Sequence, residues 1–206
     1  MTELSETLAI RPKNTSLNAK YRPSPKRMLD CCQGLVLVDN GSSVIRFVHY
    51  SVQQYLHEHQ NRIFPMGNQT IAEMLMTYLL FDTFALGCRE DEDGILALIS
   101  SNVLVKHAVQ HWGDHTRLAL DGHVDELAHH FLGAGPPRSC ACQIFQYIQD
   151  RREEYWEVDE AESCNGLYLA AVFGLESLAR RLLDSQEVEI NSKTVMGTTA
   201  LIAAAS

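Results

Sequence analysis

Ile71-Ala72-Glu73-Met74-Leu75-Met76-Thr77-Tyr78-Leu79-Leu80-Phe81 is the stretch on which the fold turns. Ile71, Met74, Leu75, Tyr78 and Leu79 recur at i, i+3, i+4, i+7 and i+8, the spacing of one face of an α-helix. Leu80, Phe81 and Phe84 widen the stripe until apolar side chains cover most of that helix. Such a helix must be surrounded by others. Ile95–Trp112, Val124–Leu132 and Ile144–Trp156 are the helices expected to do so, separated by Gly87, Gly113-Asp114 and Gly133-Ala134-Gly135-Pro136-Pro137. Gly113-Asp114 is expected to break or bend its helix. The Gly/Pro run is the best internal boundary. Beyond it, Asp150, Glu153, Glu154, Glu157, Asp159, Glu160 and Glu162 are opposed only by Arg151 and Arg152, the pattern of a solvated helix end or hinge. Residues 63–162 thus read as a helical spacer.

Upstream, in residues 1–62, Gly34-Leu35-Val36-Leu37-Val38 and Val44-Ile45-Arg46-Phe47-Val48 flank Asp39-Asn40-Gly41-Ser42. Two β-branched runs around Asn-Gly predict a hairpin with a type I′ turn, because both residues tolerate positive φ. Ser24 or Pro25 is placed to start a short helix through Met28, Leu29 and Cys32. After the hairpin, His49 to Leu56 can begin another, with Val52, Tyr55 and Leu56 on one side. Helix, two-stranded wing and helix make the closing half of a winged-helix fold.

Downstream, in residues 163–206, Leu167-x-x-Ala170-Ala171 returns as Leu201-x-x-Ala204-Ala205, an offset of 34 residues. Small alanines let two helices approach closely, Gly174 turns the chain, and Leu175, Leu178, Leu182 and Leu183 bury a second helix against a neighbouring unit. Gly197-Thr198-Thr199-Ala200-Leu201 is a variant of the turn that opens an ankyrin repeat. One repeat and a fraction cannot bury a continuous solenoid core, so the array is expected to be truncated. The expected fold class is mainly α with a small β-hairpin wing: partial winged helix, helical spacer and the start of an ankyrin solenoid.

Cys32-Gln33-Gly34-Leu35-Val36-Leu37-Val38-Asp39 and Arg46-Phe47-Val48-His49-Tyr50-Ser51-Val52-Gln53-Gln54-Tyr55-Leu56 resemble the winged-helix segment that follows the NACHT nucleotide-binding domain in fungal ankyrin-repeat proteins. That segment carries the name of GPI inositol-deacylase, from which no lipase activity is inferred. Leu79-Leu80-Phe81-Asp82 and Ala108-Val109-Gln110-His111-Trp112-Gly113 are similar to the helical spacer of those proteins, and Tyr168-Leu169-Ala170-Ala171 to the start of their ankyrin array. The resemblance implies a signalling role, in which repeats sense a ligand and relay that event to a nucleotide-switched core and an effector. It also implies a fragment that opens inside one fold, at Glu6-Thr7-Leu8-Ala9-Ile10, and ends inside another.

No G-x-x-x-x-G-K-[ST] phosphate loop and no G-x-S-x-G nucleophile elbow occurs in the sequence, so neither NTPase nor esterase chemistry has its motif. His107, His111 and His115 share a helical spacing and Cys140-x-Cys142 pairs two thiols. Packing is the preferred reading of both, as it is of Cys31-Cys32, Trp112 and Trp156. His49, His57 and His59 lack a nucleophile in any motif, and Glu90-Asp91-Glu92-Asp93-Gly94 reads as a helix cap in place of a Ca²⁺ loop. No catalytic, cofactor-binding or metal-ligating residue is assigned, no cofactor is expected and the chain is read as not an enzyme. With 17 Lys and Arg against 26 Asp and Glu, the net charge of -9 repels phosphate backbones. A DNA-binding winged helix is the alternative function, resting on Arg11, Lys13, Lys20, Arg22, Lys26 and Arg27, while the wing tip has no cation and only Arg46 nearby. Neither a secretory signal nor a membrane span is evident, so the sequons at Asn14, Asn40 and Asn68 go unused and a cytoplasmic location is expected. The expected partner is a protein bound by the ankyrin repeats, with no membrane, nucleic acid disfavoured and a small-molecule ligand unassigned.

Overall fold

The computed structural model describes residues 2–39, 41, 44–119, 122–149, 158–185 and 188–205. Its elements run α1 (Thr2–Thr7), a 3-10 turn (Ala19–Tyr21), α2 (Pro25–Cys31), β1 (Val36–Val38), β2 (Ile45–Phe47), α3 (Tyr50–Glu58), α4 (Gln60–Ile63) and α5 (Gly67–Leu79). They continue with α6 (Glu92–Ser101), α7 (Val105–Leu118), α8 (Gly122–Gly133), α9 (Gly135–Gln149), α10 (Val158–Ser163), α11 (Gly166–Val172), α12 (Glu176–Asp184) and α13 (Ala200–Ala204). The chain is mainly helical, with one two-stranded antiparallel sheet among the described residues.

The stripe on α5 is buried as its width requires. Ala72, Leu75, Met76, Tyr78 and Leu79 are inside, and α5 packs on α7, α8 and α9. Tyr78 meets Phe81 and Phe84 edge-on, each at 5.3 Å between ring centroids. Trp112 of α7 makes the next aromatic layer, T-shaped against Phe131 of α8 at 5.1 Å. Each such ring contributes about 1.5–3 kcal/mol by leaving water, before any ring–ring term.

Three expectations about this region are corrected. The stretch Ile95–Trp112 is two helices, because Asn102 ends α6 by turning its side-chain amide back to the Leu98 carbonyl at 2.8 Å. Gly113-Asp114 does not interrupt α7, which runs on to Leu118. The last helix begins at Gly135, well before Ile144, with Pro136 and Pro137 in its first turn, where missing N–H groups cost nothing. The expected acids and tryptophan at Asp150, Glu153, Glu154, Trp156 and Glu157 lie outside the described residues.

The hairpin forms with Val36 opposite Phe47, Leu37 opposite Arg46 and Val38 opposite Ile45. The Asp39 N–H donates to the Val44 carbonyl at 2.9 Å. The type I′ turn expected at Asp39-Asn40-Gly41-Ser42 rests on Asn40 and Ser42, which with Ser43 lie outside the described residues. Ser24 caps α2 by accepting from the Arg27 N–H at 3.3 Å, and Pro25 follows as the first helical residue. Leu35, Leu37, Phe47, Tyr50 and Tyr55 are exposed, and α3 buries no residue.

One core cluster reaches from Ile10 through α5–α9 to Leu182 of α12, so the packing continues without a gap across residue 163. The N-terminal strap takes part in it. Ile10 is in that core, Thr15 accepts from the Asp82 N–H at 2.9 Å, and Glu6 holds Arg22 at 2.7 Å. Burial raises the Glu6 pKa, partly offset by the Arg22 guanidinium. No helix among the described residues is long and apolar enough to cross a membrane.

Candidate functional site

The 34-residue echo of the sequence has a three-dimensional counterpart. Asn165 caps α11, its side chain accepting from the Tyr168 N–H at 2.8 Å, and Thr199 caps α13 by accepting from the Ile202 N–H at 3.3 Å. The two caps stand at the same offset as the Leu-x-x-Ala-Ala pairs that follow them. At its other end α11 closes in a Schellman arrangement. Gly174 has φ 63°, its N–H bonds the Ala171 carbonyl at 3.1 Å, and the Leu175 N–H reaches Ala170 at 2.8 Å. The chain turns there, and α12 packs against both α11 and α8 with Leu178 and Leu182 buried.

Between α12 and α13 the chain makes a tight finger. Lys193 bridges Thr199, the Thr194 N–H bonds the Thr198 carbonyl at 2.9 Å, and Gly197 takes φ 79°. Two bonds seat the finger on α10: the Met196 N–H donates to the Glu160 carboxylate at 2.9 Å and the Val195 N–H to the Ser163 hydroxyl at 3.2 Å. Helix α13 lies against α11 but buries no residue of its own. Leu167 is 5% exposed whereas its counterpart Leu201 is 80% exposed, and Ile190, Val195, Met196 and Ile202 are exposed as well. The inner copy of the motif is therefore packed, while the outer copy presents an apolar face.

The inner copy is held by Phe173. Its ring stands T-shaped on Trp112 at 4.9 Å and fills the space beside Gly113, where a Cβ would fall 2.2 Å from the ring carbon Cγ. Gly113 is thus a docking position for Phe173. Gly166 has the same duty against the Leu132 carbonyl, 2.7 Å from where its Cβ would be. Arg138 donates to Leu132 O at 2.8 Å and Cys164 O at 3.1 Å, and burial lowers its pKa. Outside, Arg181 of α12 grips Glu126 of α8 with two bonds of 2.8 and 2.9 Å, a contact that lowers the Glu126 pKa.

The chemistry-like residues are dispersed. His107, His111 and His115 share one uninterrupted helix, the first two with ring centroids 4.7 Å apart, while His115 shares a 2.9 Å hydrogen bond with Asn68. Burial first and the neighbouring imidazoles second lower the pKa of His107 and His115. No group of three or more metal-type side chains converges among the described residues. Cys140 and Cys142 are core residues, whereas Cys31 is exposed and Cys32 half-buried, against the expectation of a packed pair. Burial pushes Cys140 up to about 11 and Cys88 to about 12, and Cys142, hydrogen-bonded to Cys164, lies well above an ordinary thiol, so all three stay protonated at neutral pH. Asp91 caps α6 through the Gly94 N–H at 2.7 Å, and His49 caps α3 through the Ser51 N–H at 3.1 Å. Trp112 is a core residue.

Of the residues that matter here, the sequence reading missed Phe173, Gly166 and the two caps, and it took Glu160 for part of a solvated acidic run, whereas Glu160 is buried where it accepts from the Met196 N–H. Asn165 and Thr199 were readable, since cap-forming side chains stand at the repeat offset before both leucine motifs. No protein-family model, curated protein or solved structure matches the chain.

Proposed function

We propose that this chain is a non-catalytic protein-interaction module of a cytoplasmic signalling protein of the fungal NACHT and ankyrin type. In this reading residues 1–62 are the closing part of a winged helix, residues 63–162 the spacer, and residues 163–206 the opening of an ankyrin array. The observation that carries it is the repeated unit of cap and Leu-x-x-Ala-Ala helix, whose inner copy is packed and whose outer copy is open. A solenoid grows by stacking such units, and its exposed face engages proteins. The finger at Lys193–Thr199 and the α11–α12 turn are the features such a surface uses to reach a partner.

Burial of Cys140 and Cys142, which raises both thiol pKa values, favours a packing role for that pair. Purified protein incubated with ATP and with a simple acyl ester is expected to give no turnover above buffer. Saturable hydrolysis of either, abolished by substituting one of its own side chains, would overturn the reading.

A further inference from the structure

A groove of about 570 Å³ lies between the strap of residues 10–15, α5 and α8. Its floor is apolar, made by Ile10, Met74, Leu80 and Leu127. Arg11, Lys13, His123 and His130 also line it, and Glu73 is the one acid among its described lining residues. In a chain of net charge -9 this is a locally cationic rim over a hydrophobic floor. Glu73 accepts from the Gln69 amide at 3.1 Å.

The strap is built in advance. Arg11 donates to the Leu8 carbonyl at 3.0 Å and the Ile10 carbonyl at 3.2 Å and lies over the Tyr21 ring, while Thr15 is bonded to Asp82 at the other end. Between these anchors the Asn14 N–H closes a turn onto Arg11 O at 3.1 Å, with Pro12 second and Lys13 third. Lys13 has φ 67°, a conformation that this turn position normally gives to glycine. A strained residue with a long cation, set at the lip of a preformed apolar groove, fits a ligand clamp.

We propose that this groove binds a small amphipathic anion, a medium-chain carboxylate whose tail lies on the Ile10–Leu127 floor and whose head is held at Lys13. The occupant is set by charge and polarity: a wholly polar anion gains nothing from the floor, a neutral amphiphile gains nothing from the rim, and a cationic one is repelled by it. The site is separate from the repeat face and does not depend on the proposed function.

Calorimetric titration of the full chain with decanoate and dodecanoate, below their micelle concentrations, tests it, with dodecyltrimethylammonium and decanol as comparisons. One site per chain is expected, tightening roughly fourfold for each added methylene that the floor covers. Lys13→Glu should weaken dodecanoate at least tenfold. Lys13→Gly should weaken it several-fold while raising the unfolding midpoint, because glycine relieves the positive φ, so loss of binding cannot be assigned to a damaged fold. Leu127→Arg, checked by the same unfolding curve, should abolish it. Equal binding of the cationic amphiphile, binding unchanged in both Lys13 variants, or no saturation up to about 1 mM, the weak end of specific affinity, would overturn the assignment.

Discussion

At the scale of single residues the most informative position is Gly113. In a helix interior glycine is destabilising by about 1 kcal/mol relative to alanine, so Gly113→Ala would strengthen α7 if the position were merely helical. It is instead the seat of Phe173, and a Cβ at 2.2 Å from that ring forces it off both Gly113 and Trp112. Overpacking of this kind costs about 1–3 kcal/mol and displaces the contacts that dock the repeat unit. Gly113→Ala is therefore expected to lower the urea midpoint, and adding Phe173→Leu in the same chain should recover part of the loss, a coupling that independent sites would not show. A stabilised Gly113→Ala protein would mean that Phe173 is not seated there.

At the scale of elements, the two capped helices should behave differently although their sequences echo. Asn165→Ala removes a cap from α11, whose leucines are in the core, and is expected to cost about 1 kcal/mol of global stability. Thr199→Ala removes the matching cap from α13, which buries nothing, so its effect should be confined to faster amide exchange in residues 200–205. Equal losses of global stability in the two variants would contradict the packed and open assignment. The same contrast explains what was legible. The α5 stripe, the Ser24-Pro25 start of α2 and the hairpin strands could be read because their signals are local, a period, a cap or a β-branched run. The start of α9 could not, since Pro136-Pro137 marks a turn or a first helical turn equally well. Gly113 could not either, because its role depends on a ring far along the chain. Of the groove, the cations of the strap were noted in the sequence as DNA contacts, and only folding places Lys13 beside Leu127.

At the scale of the molecule, a continuous core joins the N-terminal strap, the helices around α5 and the first repeat unit, whereas the hairpin and α3 stand largely outside it. Phe173 and the Arg181–Glu126 pair tie this repeat unit to α7 and α8. Its weak point is the outer face, where Leu201 is 80% and Ile202 53% exposed. The direct test is equilibrium urea unfolding of the chain fused after Ser206 to two idealised ankyrin repeats, compared with the chain alone. If α13 opens a solenoid, the fusion should unfold in one transition, at a higher midpoint and with a steeper denaturant dependence, because the new units bury Leu201 and Ile202 and join the existing core. Two separate transitions, with the first at the midpoint of the unfused chain, would show that the outer face does not accept a repeat.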